Sequence, residues 1–265
     1  MKRGYFIIFV FLFLILSFPF IPSTTYECNS CSDCNTKITS AISGDIIKLN
    51  TSIINYSSST CISLSSITNI TFDCQDNFID GTDASASYGI YLSSSNYNSL
   101  QNCSVYDFLY GLYVLGGTNN TFTNLNFSSN NAGVYVQRSL NNNLSNLNIN
   151  LSSSYGIQIA PATNYSLFTN ITSYSNGYGL TIQQGTFNNT LTNMNMSNNS
   201  VNFQSYTGSN NRALNYIDSS NIVDYNYKVY YNISASIMNL IPQLLQMQEL
   251  FIVLIAIMLP MMDLI

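Results

Sequence analysis

A five-residue phrase recurs along this chain at nearly constant spacing, and nothing else in the sequence constrains the fold as tightly. It reads Tyr88-Gly89-Ile90-Tyr91-Leu92, Tyr110-Gly111-Leu112-Tyr113-Val114, Ala132-Gly133-Val134-Tyr135-Val136, Tyr155-Gly156-Ile157-Gln158-Ile159 and Tyr178-Gly179-Leu180-Thr181-Ile182. Its glycines fall 22, 22, 23 and 23 residues apart. A period of that length marks a solenoid, in which each unit stacks only on its neighbours. One unit cannot cover its own apolar surface, so stability must come from the units above and below.

Each unit carries a second phrase: Asn102-Cys103-Ser104-Val105, Asn124-Leu125-Asn126-Phe127, Asn146-Leu147-Asn148-Ile149, Asn170-Ile171-Thr172-Ser173 and Asn193-Met194-Asn195-Met196. Leu100, Phe122, Leu144, Phe168 and Leu191 precede these asparagines by two positions. Apolar residues alternate with polar ones in both phrases, which predicts strands with one face inward. In this reading Gly89 and its equivalents turn the chain, Ile90 and Leu92 fill the core, and Tyr91, Tyr113 and Tyr135 face out. The outward row then passes to Gln158 and Thr181. Asn102, Asn124, Asn146, Asn170 and Asn193 are expected to hydrogen-bond to one another up the stack.

The regular units are preceded by a coil running from Cys61-Ile62-Ser63-Leu64 through Asn69-Ile70-Thr71-Phe72-Asp73-Cys74 to Ile79-Asp80-Gly81. These phrases, with the alternating Tyr-Gly and Asn phrases after them, resemble the right-handed parallel β-helix repeat proteins. Among those, they are most similar to archaeal surface proteins and to the periplasmic copper-protein family that assists nitrous oxide reductase. The resemblance runs over residues 60 to 230 and includes Tyr216-Ile217-Asp218-Ser219-Ser220-Asn221-Ile222-Val223-Asp224. That stretch is similar to a segment that commonly interrupts such helices, although the usual Gly-Lys-Pro is replaced here by Tyr225-Asn226-Tyr227. The implied fold is all-β: a single-stranded right-handed parallel β-helix (solenoid) of about seven coils. A signal segment would precede it and a hydrophobic helix would follow.

The chain therefore divides into residues 1–25, a signal peptide or signal anchor; 26–59, a cysteine-containing N-terminal cap; 60–236, the repeats; and 237–265, a hydrophobic C-terminal helix. Met1-Lys2-Arg3, an apolar block from Tyr5 to Ile21, and Pro22-Ser23-Thr24-Thr25 have the order of a secretory signal. Export is the expectation, either to the extracellular space or to the cell surface. Three readings compete for residues 237–265: a membrane anchor, a cap over the open end of the solenoid, or a non-native tail. Either hydrophobic end would serve for membrane anchoring. Fourteen Asn-x-Ser/Thr triplets, from Asn50 to Asn232, agree with export, but a chain this rich in Asn, Ser and Thr also makes them by chance.

Six cysteines, Cys28, Cys31, Cys34, Cys61, Cys74 and Cys103, lie near the N-terminal end. In an oxidising compartment an even count there predicts disulfides, and Cys61 with Cys74 is the expected pair because both belong to one coil. The rival is a metal site, because Cys28-x-x-Cys31-x-x-Cys34 has thiolate-ligand spacing.

Charge excludes some functions. Only 7% of residues are charged, the net charge is −5 and there is no histidine, which argues against a nucleic-acid partner. Asp73, Asp76, Asp80 and Asp83 form the one acidic cluster, a candidate for calcium with a turn role as its rival. From 108 to 217 there is no Asp or Glu at all, which disfavours paired-carboxylate catalysis. Met194 and Met196 read as core rather than copper ligands. The row Tyr91, Tyr113 and Tyr135 is the candidate face for glycans or another cell-surface protein, its rival being plain cross-coil stacking. The expected function is non-catalytic and extracytoplasmic, in surface structure, adhesion or glycan binding, with no cofactor. A polysaccharide lyase or hydrolase is the alternative, and periplasmic copper handling the second alternative.

Overall fold

A computed structural model describes residues 22–83, 87–206 and 215–231. The expected signal segment and C-terminal hydrophobic helix lie outside the described residues, apart from residues 22–25. What is described is a parallel β-solenoid with two sheets, one of seven strands and one of eleven. The chain alternates between them once per coil. Tyr88–Ser93, Tyr110–Leu115, Ala132–Gln137, Tyr155–Ile159 and Tyr178–Ile182 stack in the first sheet. Ser99–Tyr106, Thr121–Ser128, Asn143–Asn150, Leu167–Tyr174 and Thr190–Ser197 stack in the second. Register is strict, with Ile90 over Leu112, Leu112 over Val134, and Leu100 over Phe122. The single core is thus a set of apolar columns, and Met194 and Met196 belong to it, each 1% exposed.

The repeated glycines do not turn the chain. Gly89, Gly111, Gly133, Gly156 and Gly179 lie inside strands, and none is among the glycines with positive φ. Their role is close approach. A Cβ on Gly133 would stand 2.4 Å from Ile149 Cγ2 and 2.9 Å from the carbonyl oxygen of Gly156, and Gly89 and Gly111 are as tightly enclosed. Turning falls instead to other residues in left-handed conformation, asparagine the commonest among them. Asn102, Asn124, Asn146, Asn170 and Asn193, with φ of 53 to 56°, bend each long strand in its middle. Their amides form the expected exposed ladder, Asn124 Nδ2 donating to Asn102 Oδ1 (3.2 Å), Asn146 to Asn124 (3.2 Å), Asn170 to Asn146 (2.6 Å) and Asn193 to Asn170 (2.9 Å).

Two further ladders, both buried, were not foreseen. At one corner the Oδ1 of Asn98, Asn120 and Asn142 each accepts a backbone N–H from the coil before it: Ile70 (3.0 Å), Asn98 (2.9 Å) and Asn120 (2.9 Å). Ser166, Asn189 and Asn215 continue this series. At the other corner Asn130, Asn176 and Asn199 donate to the carbonyls of Val105, Ile149 and Ser173. Ser152 holds the Asn position between Asn130 and Asn176, and its hydroxyl is buried without a partner. These amides satisfy backbone groups that the corners would otherwise orphan.

Both ends of the stack are finished differently from its middle. The helix Cys31–Ser40, opened by the Ser30 side chain accepting from Asp33 N–H, packs under Thr60–Ser65, the first strand of the seven-stranded sheet. There Asn35 acts as a substitute strand, donating to Cys61 O (2.7 Å) and accepting from Ser63 N–H (2.9 Å). At the far end Tyr216–Val223 pairs antiparallel with Tyr227–Tyr231 through a 3₁₀ turn at Asp224–Asn226, which ends the parallel progression of the larger sheet.

All six cysteines are in disulfides: Cys28–Cys34, Cys31–Cys61 and Cys74–Cys103. Cys61 and Cys74 are not joined to each other, which corrects the expected pairing. Cys61 lies in Thr60–Ser65 of the smaller sheet and Cys74 just past the strand Thr71–Asp73 of the larger, whereas Cys74 and Cys103 are neighbours up the stack with Cα atoms 4.9 Å apart, close to the strand spacing. Cys31–Cys61 and Cys74–Cys103 run between levels rather than across one, while Cys28–Cys34 ties the first strand to the helix. Disulfides leave no free thiolate for the metal alternative, and they persist in oxidising environments.

Two substitutions test this account by thermal or urea unfolding. Gly133→Ala should cost about 1–3 kcal/mol or more through overpacking. Ser152→Asn should add about 1 kcal/mol by completing the second buried ladder, its amide reaching the Phe127 carbonyl. Parent-like stability in Gly133→Ala would contradict the first assignment, and the absence of a gain in Ser152→Asn would contradict the second.

Candidate functional site

Strict alternation would place Tyr88 on the same face as Ile90. Instead Gly89 and Ile90 are both buried and Tyr88 is half-buried, so the strand breaks alternation at its start and presents Tyr88 and Tyr91 on one face. The same happens at Tyr110 and Tyr113. Two parallel columns result. One reads Thr60, Tyr88, Tyr110, Ala132, Tyr155, Tyr178, Val201; the other Ser63, Tyr91, Tyr113, Tyr135, Gln158, Thr181, Gln204. Tyr91, Tyr113 and Tyr135 are therefore in register, as the sequence suggested, and Tyr88 and Tyr110 join them. Their signal was in the sequence: a glycine between a tyrosine and an aliphatic residue leaves two consecutive inward positions.

The rings are mutually packed. Tyr88 and Tyr110 stack at 5.6 Å and 11°, Tyr88 and Tyr91 lie 5.2 Å apart within one strand, and Tyr91 and Tyr113 5.6 Å apart between strands. At the level where Ala132 supplies no ring, Tyr135 stands edge-on to both Tyr110 (5.4 Å, 70°) and Tyr113 (4.9 Å, 87°). Tyr155 and Tyr178 continue the first column as a stacked pair at 5.3 Å. The second column closes off past Tyr135, with Gln158 5% and Thr181 1% exposed.

Crowding raises the pKa of three of these phenols, Tyr88, Tyr113 and Tyr135. Burial, with the neighbouring phenols Tyr135, Tyr88, Tyr110 and Tyr91 behind it, pushes Tyr113 up to about 12, and its hydroxyl donates to Gln137 Oε1 (3.1 Å). Tyr88 and Tyr135 are raised for the same reasons, burial first. None of the seven strands contains Asp, Glu, Lys or Arg. The face is an uncharged ribbon of aromatic edges and hydroxyls, suited to hydroxyl-rich or planar apolar partners rather than to ions.

The aspartates are dispersed. Asp73 is bound in the bend of the larger sheet, its carboxylate accepting from Gln75 N–H (2.8 Å), Asn102 Nδ2 (3.0 Å) and Gln101 Nε2 (3.0 Å). Burial opposes its ionisation, but the bonds from Gln101, Gln75 and Asn102 and the charge of Lys48 outweigh burial and hold its pKa below the usual value. Asp76 sits in a left-handed turn, its N–H donating to Asn102 O. Asp80 and Asp83 lie at the other corner beside Asp107, away from Asp73. Burial first, then the Asp83 charge and the hydrogen-bonded Asp80, raise the Asp107 pKa. Among the described residues no group of three or more His, Cys, Asp or Glu side chains is arranged to hold a metal ion.

The tyrosine ribbon makes a pH prediction. A phenol with a raised folded pKa holds its proton more tightly when folded, so its contribution is complete below about pH 10 and lost as pH passes through about 12. Phenolate absorbance should rise late, together with unfolding, in that window. In Tyr113→Phe the pH-dependent loss should shrink; an unchanged profile would place the coupling elsewhere.

Comparison with known proteins follows the same architecture. No curated protein matches the sequence. Among solved structures, an alginate lyase from a Paenibacillus species superposes with a TM-score of 0.56 at 14% identity, over 67% of this chain and 68% of that one. The pectate lyase Pel9A gives 0.57 at 15% identity, over 77% of this chain and 62% of its own length. At such identities the likeness is one of fold. A family model described as the right-handed β-helix region matches residues 67–232, more than half of the sequence. The chain thus belongs to the right-handed β-helix family.

Proposed function

We propose that this chain is a non-catalytic, extracytoplasmic glycan-binding protein of the cell surface, with the tyrosine ribbon as its contact face. The observation that carries the reading is the double column of tyrosines on a sheet whose strands hold no charge. Ring edges and phenol hydroxyls offer apolar contact and hydrogen bonds together, the combination that a sugar ring presents in return. The two lyases named above act on polysaccharides, which supports a glycan partner. The ribbon's lack of cations favours a neutral polymer over the acidic ones those enzymes are named for. The three disulfides support the extracytoplasmic setting.

The catalytic alternative has one observation in its favour. Asp107 has its pKa raised, by burial first, then by the Asp83 charge and the hydrogen-bonded Asp80, and a carboxyl biased toward its protonated form is the kind of group that serves as a general acid. Copper handling draws less support: every cysteine is oxidised, Met194 and Met196 are buried, and the chain has no histidine.

One pair of measurements separates the readings. On a glycan array and in affinity electrophoresis, the triple variant Tyr91→Ala, Tyr113→Ala, Tyr135→Ala should lose binding at least about tenfold, with the polymer left intact. Release of shortened chains from polygalacturonate or a neutral glucan, abolished by Asp107→Asn, would instead establish the enzyme.

A further inference from the structure

Thirteen of the fourteen Asn-x-Ser/Thr triplets, all but Asn232, fall on described residues, and coil stacking sorts them. Asn164 is 6% exposed, and its Oδ1 accepts the Phe187 N–H. Asn102 and Asn170 are rungs of the exposed ladder, donating through Nδ2 to Asp73 (3.0 Å) and Asn146 (2.6 Å). Asn150 donates to the Tyr174 hydroxyl, and Asn50, Asn69, Asn126 and Asn198 are likewise engaged through Nδ2. Asn143 and Asn195 stand within strands, flanked by coils on both sides, and Asn143 Oδ1 is buried. A branched sugar at any ladder position would have to displace a neighbour about 4.8 Å away.

Asn55, Asn119 and Asn188 differ. Each sits in a turn with φ of 52, 56 and 55°, and none makes a hydrogen bond through its side chain among the described residues. Asn55 and Asn188 are exposed, and Asn119 is half-buried. Asn119 and Asn188 belong to one corner column, whose other members include Tyr97, 60% exposed, and Tyr165, 55% exposed. That column, which also holds Asn69 with its Nδ2 tied to Ser43 Oγ, projects into solvent at every level but that of half-buried Asn119.

We propose that Asn55, Asn119 and Asn188 are the N-glycan attachment sites of the folded protein, and that the ladder asparagines are barred from modification by the fold. The inference rests on the export reading above. In the transfer, the Asn Nδ2 attacks the anomeric carbon of an oligosaccharide carried on a polyprenyl phosphate. A C–N bond replaces the C–O bond to phosphate, the lipid phosphate leaves with the bonding pair, and one amide proton is lost to base. Glycan added at a ladder position of the emerging chain would block stacking, so such molecules would not reach the folded pool.

The test expresses the full chain in a secretory host with N-glycosylation machinery, once as it stands and once behind a secretion signal of the host. Failure of the first alone to enter the secretory route counts against the export reading, while the second still examines the sites. Folded protein is treated with peptide N-glycosidase in heavy-oxygen water, and labelled aspartates are mapped by mass spectrometry. Label at positions 55, 119 and 188, with one mobility step lost in each of Asn119→Gln and Asn188→Gln at unchanged circular dichroism, is the expected result. Bare asparagines at these three positions, or label at 102, 164 or 170 in folded protein, would overturn the proposal.

Discussion

Stacking in strict register places each side chain about one strand spacing from its equivalent in the next coil, and most of the chemistry here follows from that. A residue repeated up a column must be complementary to itself. Asparagine is, because its amide donates on one side and accepts on the other; aliphatic residues and aromatic rings are as well. Charges are not, since like charges in adjacent strands repel. The scarcity of ionic residues is therefore a condition of the architecture rather than an accident of composition. The corner where Asp80, Asp83 and Asp107 meet shows the consequence of breaking the rule, since one carboxyl there is pushed toward its neutral form.

The same translation explains which columns tolerate variation. The buried ladder beginning at Asn98 accepts Ser166 because a hydroxyl can still receive the preceding N–H, at 3.1 Å from Asn142. The second ladder accepts Ser152 less well, and the hydroxyl there is left without a partner. Across the five regular coils the glycine column accepts nothing larger, because a Cβ there would collide with packed side chains and with the next coil's carbonyl; only at its two ends do Cys61 and Asn202 take the position. The tyrosine column varies too, but its passage from Tyr135 to Gln158 to Thr181 takes it out of the surface: both later residues are buried, and the Thr181 hydroxyl is left without a partner.

Much of this was legible in the sequence, and what was not has a physical reason. The period of the Tyr-Gly phrase identified the coils, and alternation identified inward Ile90, Leu92, Leu100 and Phe122 correctly. Alternation failed at Tyr88 and Tyr110, because a glycine followed by an aliphatic residue lets two adjacent positions turn inward. The cysteine pairing failed because proximity was judged along one coil, whereas covalent neighbours in a solenoid are those one period apart. The buried asparagines escaped notice because asparagine is abundant everywhere in the chain. Only their constant distance from the strand starts sets them apart. The four aspartates seemed a cluster by sequence spacing and are divided between two corners by the fold.

The disulfides are confined to the lowest levels of the stack, and this gives the rod a mechanical polarity. Cys31–Cys61 and Cys74–Cys103 rivet the helix and the first coils together, while every later coil is held to its neighbour by hydrogen bonds and packing alone. Tension that peels coils one at a time would meet covalent resistance at one end and a zipper of amides at the other. Under load the molecule would unwind from its C-terminal side and keep a folded stub at its base, with most of the tyrosine ribbon released before the riveted coils give way.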